Sequence, residues 1–236
     1  MISVVVPVYN EEGSIAPLLA EIAAAAGAGT APITEVIYVD DGSTDGTAQA
    51  LDEARRLYPG LRVLRHARRC GQSAGFWHGG AAARGEVLVL MDGDGQNDPA
   101  DIRLLWEHYQ ATGAAVMGQR AVRRDNFVRR WSSKVANALR RAMLRDGVRD
   151  TGCSLKLIPT AAYRALPYFD HMHRFLPALL LRAHVPVEAV DVSHRPRERG
   201  ASKYGFWGRL WVGVFDVLGV WWLSRRALPP VAVQEC

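Results

Sequence analysis

A chain of 236 residues that is 49% hydrophobic and 22% charged holds material for one substantial core, and global disorder is excluded. No apolar run approaches the ~20 residues that cross a bilayer, which excludes a polytopic membrane protein. Net charge is +5 with pI near 9.4, but it is unevenly placed. Ten Lys and Arg stand against two acids between Gln119 and Arg149, so this segment carries +8 and the rest of the chain −3. Its target should be anionic: phosphates, a nucleic acid or a lipid surface.

Cys70, Cys153 and Cys236 show no CxxC spacing, which argues for a reducing compartment without structural zinc. Met1-Ile2-Ser3 brings no basic stretch, and Pro7 breaks the first apolar segment early, so no cleaved leader is expected. A cytosolic globular protein is the expectation.

In chain order, Ile2 to Tyr9 reads as a buried strand and Ser14 to Ala26 as a helix. Glu35 to Asp40 is a strand, Thr44 to Leu57 a helix, Leu61 to Arg65 a strand and Ser73 to Ala83 a helix. Glu86 to Met91 is a fourth strand, then Ala100 to Thr112 a helix and Ala115 to Gly118 a strand. Beyond Arg149, strands are expected at Leu155 to Ile158 and Val187 to Val192, with helices around Thr160 to Leu166 and Arg174 to Ala183. Alternation at this spacing predicts an α/β layered fold with parallel pairing and right-handed crossovers. Ligands of such folds gather at the carboxyl ends of the strands.

Acid-bearing loops stand at those ends: Pro7-Val8-Tyr9-Asn10-Glu11, Asp40-Asp41-Gly42-Ser43-Thr44-Asp45 and Asp92-Gly93-Asp94-Gly95-Gln96-Asn97-Asp98-Pro99. Two carboxylates two apart in a glycine-rich turn can gather oxygen ligands for Mg²⁺, which uses one or two carboxylates plus substrate phosphates. A solvated turn is the bland reading of the same residues. Asp40 and Asp41 can accept from ribose or a base edge, or Ser43 and Thr44 merely cap the next helix. Neither GxGxxG after the first strand nor GxxxxGK[ST] occurs, which weakens dinucleotide and P-loop readings.

PVYNE, DDGSTDGT and DGDGQNDP in this order resemble family 2 glycosyltransferases of the GT-A fold. Arg69 to Ala74 stands where the family has N-x-G-x-x-x-A. Asp150 to Lys156 is similar to its D-x-x-S-G-F-R element, and Arg197 to Tyr204 to its R-x-x-G-x-S-K element. Together they resemble the dolichol-phosphate mannosyltransferase-like branch, which makes polyprenyl-phosphate sugars, over about Met1 to Tyr204. Arg69 replaces a frequent Asn, and Cys153-Ser154 a Ser-Gly pair.

The resemblance implies a mixed, mainly parallel Rossmann-like sheet flanked by helices and an inverting transfer from a UDP- or GDP-sugar to an undecaprenyl- or dolichyl-type phosphate. It implies Pro7, Tyr9, Glu11, Asp40, Asp41 and Asp92 for the nucleotide sugar, and Asp94 and Gln96 for Mg²⁺ or Mn²⁺. Asp94, Arg197 and Lys203 would act on the diphosphate, and Arg120, Arg129 and Ser133 would grip the acceptor phosphate. Arg140, Arg141 and Arg145 are read as a solvated or headgroup-facing surface.

His171, His173, His184 and His194 form no ligand pair at helical spacing, and structural roles are expected for them. Nothing marks Cys70 or Cys153 as a nucleophile.

Seven aromatics fall between Tyr204 and Trp222, and Trp211, Phe215, Leu218 and Trp222 lie on one helical stripe. Spanning a bilayer would bury Asp216 at roughly 2.5–3.5 kcal/mol, so an amphipathic aromatic helix in the membrane interface is expected, with core packing as the competing reading. The expected organisation is a catalytic domain over 1–204, whose basic segment 119–149 binds the acceptor, and an interfacial tail over 205–236. The protein would be peripheral on the cytoplasmic face of a membrane, and self-association or a membrane-protein partner is left open. A saccharide-elongating glycosyltransferase is the alternative. A nucleic-acid partner is disfavoured, since only Phe127 and Trp131 interleave with the basic run.

Overall fold

The computed structural model describes residues 1–120, 143–195 and 206–226, with side chains in the last stretch from residue 214 on. Its centre is a seven-stranded sheet in the order β3-β2-β1-β4-β6-β5-β7. The strands are β1 (Ile2–Val8), β2 (Ile33–Asp40), β3 (Leu61–Arg65), β4 (Val87–Leu90), β5 (Ala115–Arg120), β6 (Lys156–Pro159) and β7 (Val187–Val192). β1 pairs in parallel with β2 and β4, β2 with β3, and β5 with β7. Only β6 runs against its neighbours β4 and β5.

Every residue of β1 is buried, as a central strand covered on both faces must be, which is why its sequence is a near-continuous Val run. Alternation divides it: Val4, Val6 and Val8 face α1 (Ile15–Gly27), α2 (Thr47–Leu57) and α4 (Ile102–Thr112), through Ile15, Leu19, Leu51 and Leu105. Val5 faces the other layer with α3 (Gln72–Ala82), α5 (Thr160–Arg164) and α6 (Leu176–Arg182), among Phe76, Tyr163 and Leu179. α3 lies close to β1 because it is glycine-rich there. A Cβ at Gly79 would stand 2.3 Å from Val5 Cγ1, and one at Gly75 2.6 Å from Pro7 Cβ.

The elements expected from sequence are all present, with ends shifted by up to three residues; α2 starts at Thr47, three later than expected. The C-terminal helix α7 (Phe206–Ser224) is two-sided. Val220 is buried, Val217, Trp221 and Leu223 pack on the core, Asp216 pairs with His171 Nδ1 at 3.0 Å, and Arg182 Nε donates to the Leu223 carbonyl at 3.0 Å. Phe215, Leu218 and Trp222 point outward at 69%, 46% and 56% exposure. Core packing and an outward apolar stripe therefore coexist on opposite faces. Among the described residues no helix is long and apolar enough to cross a membrane. The boundary expected after Tyr204 falls outside the described residues.

Candidate active site

β1, β2 and β4 end side by side, and the three acidic loops meet at that edge. Asn10 clasps the first two. Its backbone takes a left-handed φ of 55°, its Oδ1 accepts from Thr44 N at 2.8 Å, and its N–H donates to Ser43 Oγ at 3.0 Å. Glu11 N–H donates to Thr47 Oγ1 at 2.9 Å. Thr44 and Thr47 thus draw the loops together. Tyr9 is half-buried under the Arg69 guanidinium, 4.3 Å above its ring, so the residue that departs from the family's Asn forms a cation–π stack. Pro7 is buried within β1 with its ring toward α3.

Asp40 is buried and accepts from Ser43 N at 2.9 Å, which shapes its own turn. Asp41 commits both carboxylate oxygens to the chain after β3: Oδ1 accepts from Cys70 N and His66 Nδ1, each at 2.7 Å, and Oδ2 from Gly71 N at 2.8 Å. It therefore holds the segment carrying Arg69 in place. His66 Nε2 meets His78 Nδ1 at 2.9 Å. Partial burial and the nearby His66 hold His78 below the usual histidine pKa.

Past β4, the Asp92 carboxylate accepts from Gln72 Nε2, and Asp92 N–H donates to Ser154 Oγ at 3.2 Å. Ser154 Oγ in turn donates to Asn97 Oδ1 at 2.7 Å. Ser154, half of the pair that departs from the family pattern, is thus the brace between the two ends of the acidic loop. Lack of water around the Asp92 carboxyl, then the adjacent Asp94 carboxylate, push its pKa up to about 6 against the pull of Ser154, Lys156 and Arg120. Two carboxylates crowded in this way suit a divalent cation, which would relieve the repulsion. Asp94 and Gln96 are half-buried at the loop tip, and Gln96 N–H donates to Asp94 Oδ1 at 3.2 Å.

The end of β7 is sewn to this loop. Arg195 N–H donates to the Gln96 carbonyl at 3.0 Å, Asn97 bridges to His194, and Ser193 N–H donates to buried Asp101 at 2.6 Å. Arg195 itself pairs with Glu21 and Asp98, each at 2.7 Å. His194 Nε2 comes within 3.5 Å of Gln96 Nε2, so an imidazole stands next to the oxygen donors. The Asn97–His194 bridge, unreadable from spacing, brings it there. Arg197 and Lys203 lie outside the described residues, two and eight positions beyond Arg195.

On the far side of β4, Arg120 forks onto Asp150, Nε to Oδ2 at 2.6 Å and Nη2 to Oδ1 at 2.9 Å, with both side chains largely buried. Its charge is therefore already offset by a carboxylate. Lys156 is buried beside it, and loss of water lowers its pKa against the raising influence of Cys153, Asp92 and Asp150. Burial raises the pKa of the Cys153 thiol, in keeping with an inert cysteine. His173 is hydrogen-bonded to Ser73 Oγ at 2.7 Å, and burial, then Arg174, hold its pKa well below the usual value. Arg145 is exposed; Arg129, Ser133, Arg140 and Arg141 lie outside the described residues.

The model of the family described as "Glycosyl transferase family 2" matches residues 3–166. A dodecaprenyl-phosphate galacturonate synthase of Rhizobium johnstonii is 37% identical over 235 residues, 97% of this chain and 69% of that protein. An undecaprenyl-phosphate 4-deoxy-4-formamido-L-arabinose transferase of Pectobacterium carotovorum is 36% identical over 211 residues, 87% of this chain. The chain spans 63% of that second relative's length. A glucosyl-3-phosphoglycerate synthase from Mycobacterium tuberculosis, crystallised with Mn²⁺, UDP and glucosyl-3-phosphoglycerate, superimposes with a TM-score of 0.68 at 22% identity, over 98% of this chain and 81% of that one. That likeness is one of fold.

Proposed function

The chain belongs to glycosyl transferase family 2, and from that membership we propose that it transfers a sugar from a UDP- or GDP-linked donor to a polyprenyl phosphate with inversion. The observation that carries the reading is a shared edge: the acidic loops after β1, β2 and β4 and both ends of the basic connection between β5 and β6 lie on one side of one sheet. The relatives' names support the acceptor, since one carries dodecaprenyl and the other undecaprenyl phosphate.

Asp94 and Gln96 would hold Mg²⁺ or Mn²⁺, with His194 adjacent. When bound, such an ion neutralises the departing nucleoside diphosphate. The other tasks belong to side chains of the chain. Tyr9 under Arg69, with Glu11, Asp40 and Asp92, lines the nucleotide side. Asp41 acts at one remove by fixing the Cys70–Gly71 turn, and Pro7 by seating β1 on α3. Arg197 and Lys203, two and eight positions past Arg195 in sequence, are assigned to the diphosphate on the family resemblance of their motif.

An acceptor phosphomonoester is mostly dianionic near neutrality, so it is its own nucleophile and needs alignment more than a base. Arg129 and Ser133 would grip it together with Arg120, whose guanidinium Asp150 holds. Direct attack by the acceptor gives a single displacement, hence a β-linked product from an α-linked donor. We assign 1–204 to this catalysis, 119–149 to the acceptor, and 205–236 to docking on the cytoplasmic face of a membrane. A homo-oligomer or a membrane-protein partner fits that placement, and nucleic acid does not.

The test is to incubate the protein and Mn²⁺ with radiolabelled UDP- and GDP-sugars and a short polyprenyl phosphate. A lipid-extractable product whose NMR shows the β configuration is expected. Label appearing only in a water-soluble oligosaccharide would favour a saccharide-elongating enzyme, and a retained configuration would refute the single displacement.

A further inference from the structure

The three residues that leave β7 each tie to the acidic loop after β4 or to the turn behind it. Ser193 N–H donates to Asp101 Oδ2 at 2.6 Å, His194 bridges to Asn97, and Arg195 N–H donates to the Gln96 carbonyl at 3.0 Å. Arg195 then carries the tie further with its side chain. Nη1 donates to Glu21 Oε2 on α1 and Nη2 to Asp98 Oδ2, each at 2.7 Å. The other oxygen of Asp98 accepts from Ala100 N–H at 3.0 Å, in the turn that opens α4. One residue therefore joins α1, the far end of the acidic loop and the backbone of Gln96. With a carboxylate on each terminal nitrogen, its guanidinium is a brace between elements.

We propose, on the reading that Asp94 and Gln96 hold the metal, that Arg195 is a positioning residue for them. By clamping Asp98 to Glu21 it fixes the end of their loop and so sets how tightly a divalent cation is held. Partners behind a metal ligand orient it, and their loss weakens metal binding about 10- to 100-fold. Arg195 acts one step further out, through the Gln96 backbone and the Asp98 turn, so the lower end of that range is expected. The task suits arginine: two carboxylates on different elements need donors held in one plane, which a guanidinium supplies and a point-like ammonium does not.

The clamp borders open space. Arg195, Glu21 and Asp98 line a cavity of about 460 Å³ with Ala24, Ala28 and Ile102 among its other walls. A free guanidinium ion can therefore enter where the side chain has been cut away. The three charged side chains are 39%, 42% and 25% exposed, and exposed pairs of this kind add little to global stability. Loss of the clamp should loosen the loop without unfolding the chain.

The experiment is a Mn²⁺ titration of the full chain, read from the EPR signal of the free ion, with a thermal melt of every variant. Arg195→Gln should raise the Mn²⁺ Kd about tenfold and leave the melt nearly unchanged. Arg195→Lys and Glu21→Gln should each lose less, since one carboxylate stays paired. The double variant Arg195→Gln with Glu21→Gln should bind no more weakly than Arg195→Gln alone, because both changes remove one clamp. In Arg195→Ala, millimolar guanidinium chloride should restore part of the lost affinity where equal NaCl does not. A general loss of structure would instead lower the melts and be deepened by guanidinium. An unchanged Kd in Arg195→Gln, additive losses in the double variant, or no restoration by guanidinium would overturn the role of Arg195 and leave Asp94 as a ligand. Mn²⁺ binding that is absent from the parent, or survives Asp94→Ala, would remove the metal reading and the role of Arg195 with it.

Discussion

Replacing Arg120 by Ala should disturb both the fold and the acceptor, and the two effects can be separated. The Arg120–Asp150 fork has side chains only 17% and 9% exposed. Removing the guanidinium leaves a carboxylate in the interior with Gly152 N–H, at 3.1 Å, among its remaining partners. Breaking a buried pair from one side costs about 3–5 kcal/mol, and residual solvent at Arg120 favours the lower end. In a domain of this size each kcal/mol moves Tm by about 2–4 °C, so a loss of about 6–12 °C is expected in a thermal melt. Asp150→Asn should lose a similar amount, since it strands the guanidinium instead. Replacing both partners by apolar residues of similar volume, Arg120→Met with Asp150→Leu, should recover most of the loss. Acceptor use should split differently. If Arg120 also touches the acceptor phosphate, Arg120→Ala loses about 1.5–3 kcal/mol of charge-assisted hydrogen bonding, and acceptor kcat/KM falls roughly tenfold to a hundredfold below the melting range. Asp150→Asn keeps the charge and should keep most of that activity. A melt of Arg120→Ala within about 2 °C of the parent would refute the stability reasoning, and an unchanged acceptor kcat/KM would remove Arg120 from the grip.

Asp94→Ala should abolish turnover, a fall of at least about a thousandfold given the several kcal/mol a metal supplies, with an unchanged melt; EDTA should do the same reversibly. Burial alone would raise Glu35, but hydrogen bonds from Ser3 Oγ at 2.6 Å, Arg84 N–H at 2.9 Å and Arg62 outweigh it and hold the carboxyl below its usual pKa. A depressed folded pKa stabilises above the unfolded value of about 4.3 and is lost as pH falls through the folded one. Urea midpoints of the parent and Glu35→Gln should therefore differ at pH 7 and draw together as the pH falls below the unfolded value and through the lower folded one. Phe215→Ser with Trp222→Ser removes two exposed side chains and should leave the melt unchanged. If that face enters a bilayer at about 1.5–3 kcal/mol per residue, sedimentation with anionic vesicles should weaken at least about a hundredfold.

Much of this architecture was readable because its signals are local. The apolar run of β1 and the five residues of β3 announce buried strands, and three acidic loops after strands place a ligand edge before any coordinates. What could not be read depends on pairings remote in sequence. β6 reads as a strand, but its reversed direction shows only in its pairing with β4 and β5. Asp41 looks like a ligand for a nucleotide, yet its oxygens serve Cys70, Gly71 and His66, 25 to 30 residues away. His194 reaches Gln96, 98 positions away, through the Asn97–His194 bridge.

The reversal of β6 has an effect on how such a protein can diversify. β5 ends at Arg120 and β6 begins at Lys156 on the same rim of the sheet, because one strand runs toward that rim and the other away from it. Both ends of the intervening stretch therefore stand at that one rim. On the proposed assignment, lengthening that stretch, or exchanging it for another sequence, would change what approaches the sugar from one side while the loops after β1, β2 and β4, assigned to the donor, stay as they are. Under that assignment the topology would separate inheritance of the donor half from renewal of the acceptor half.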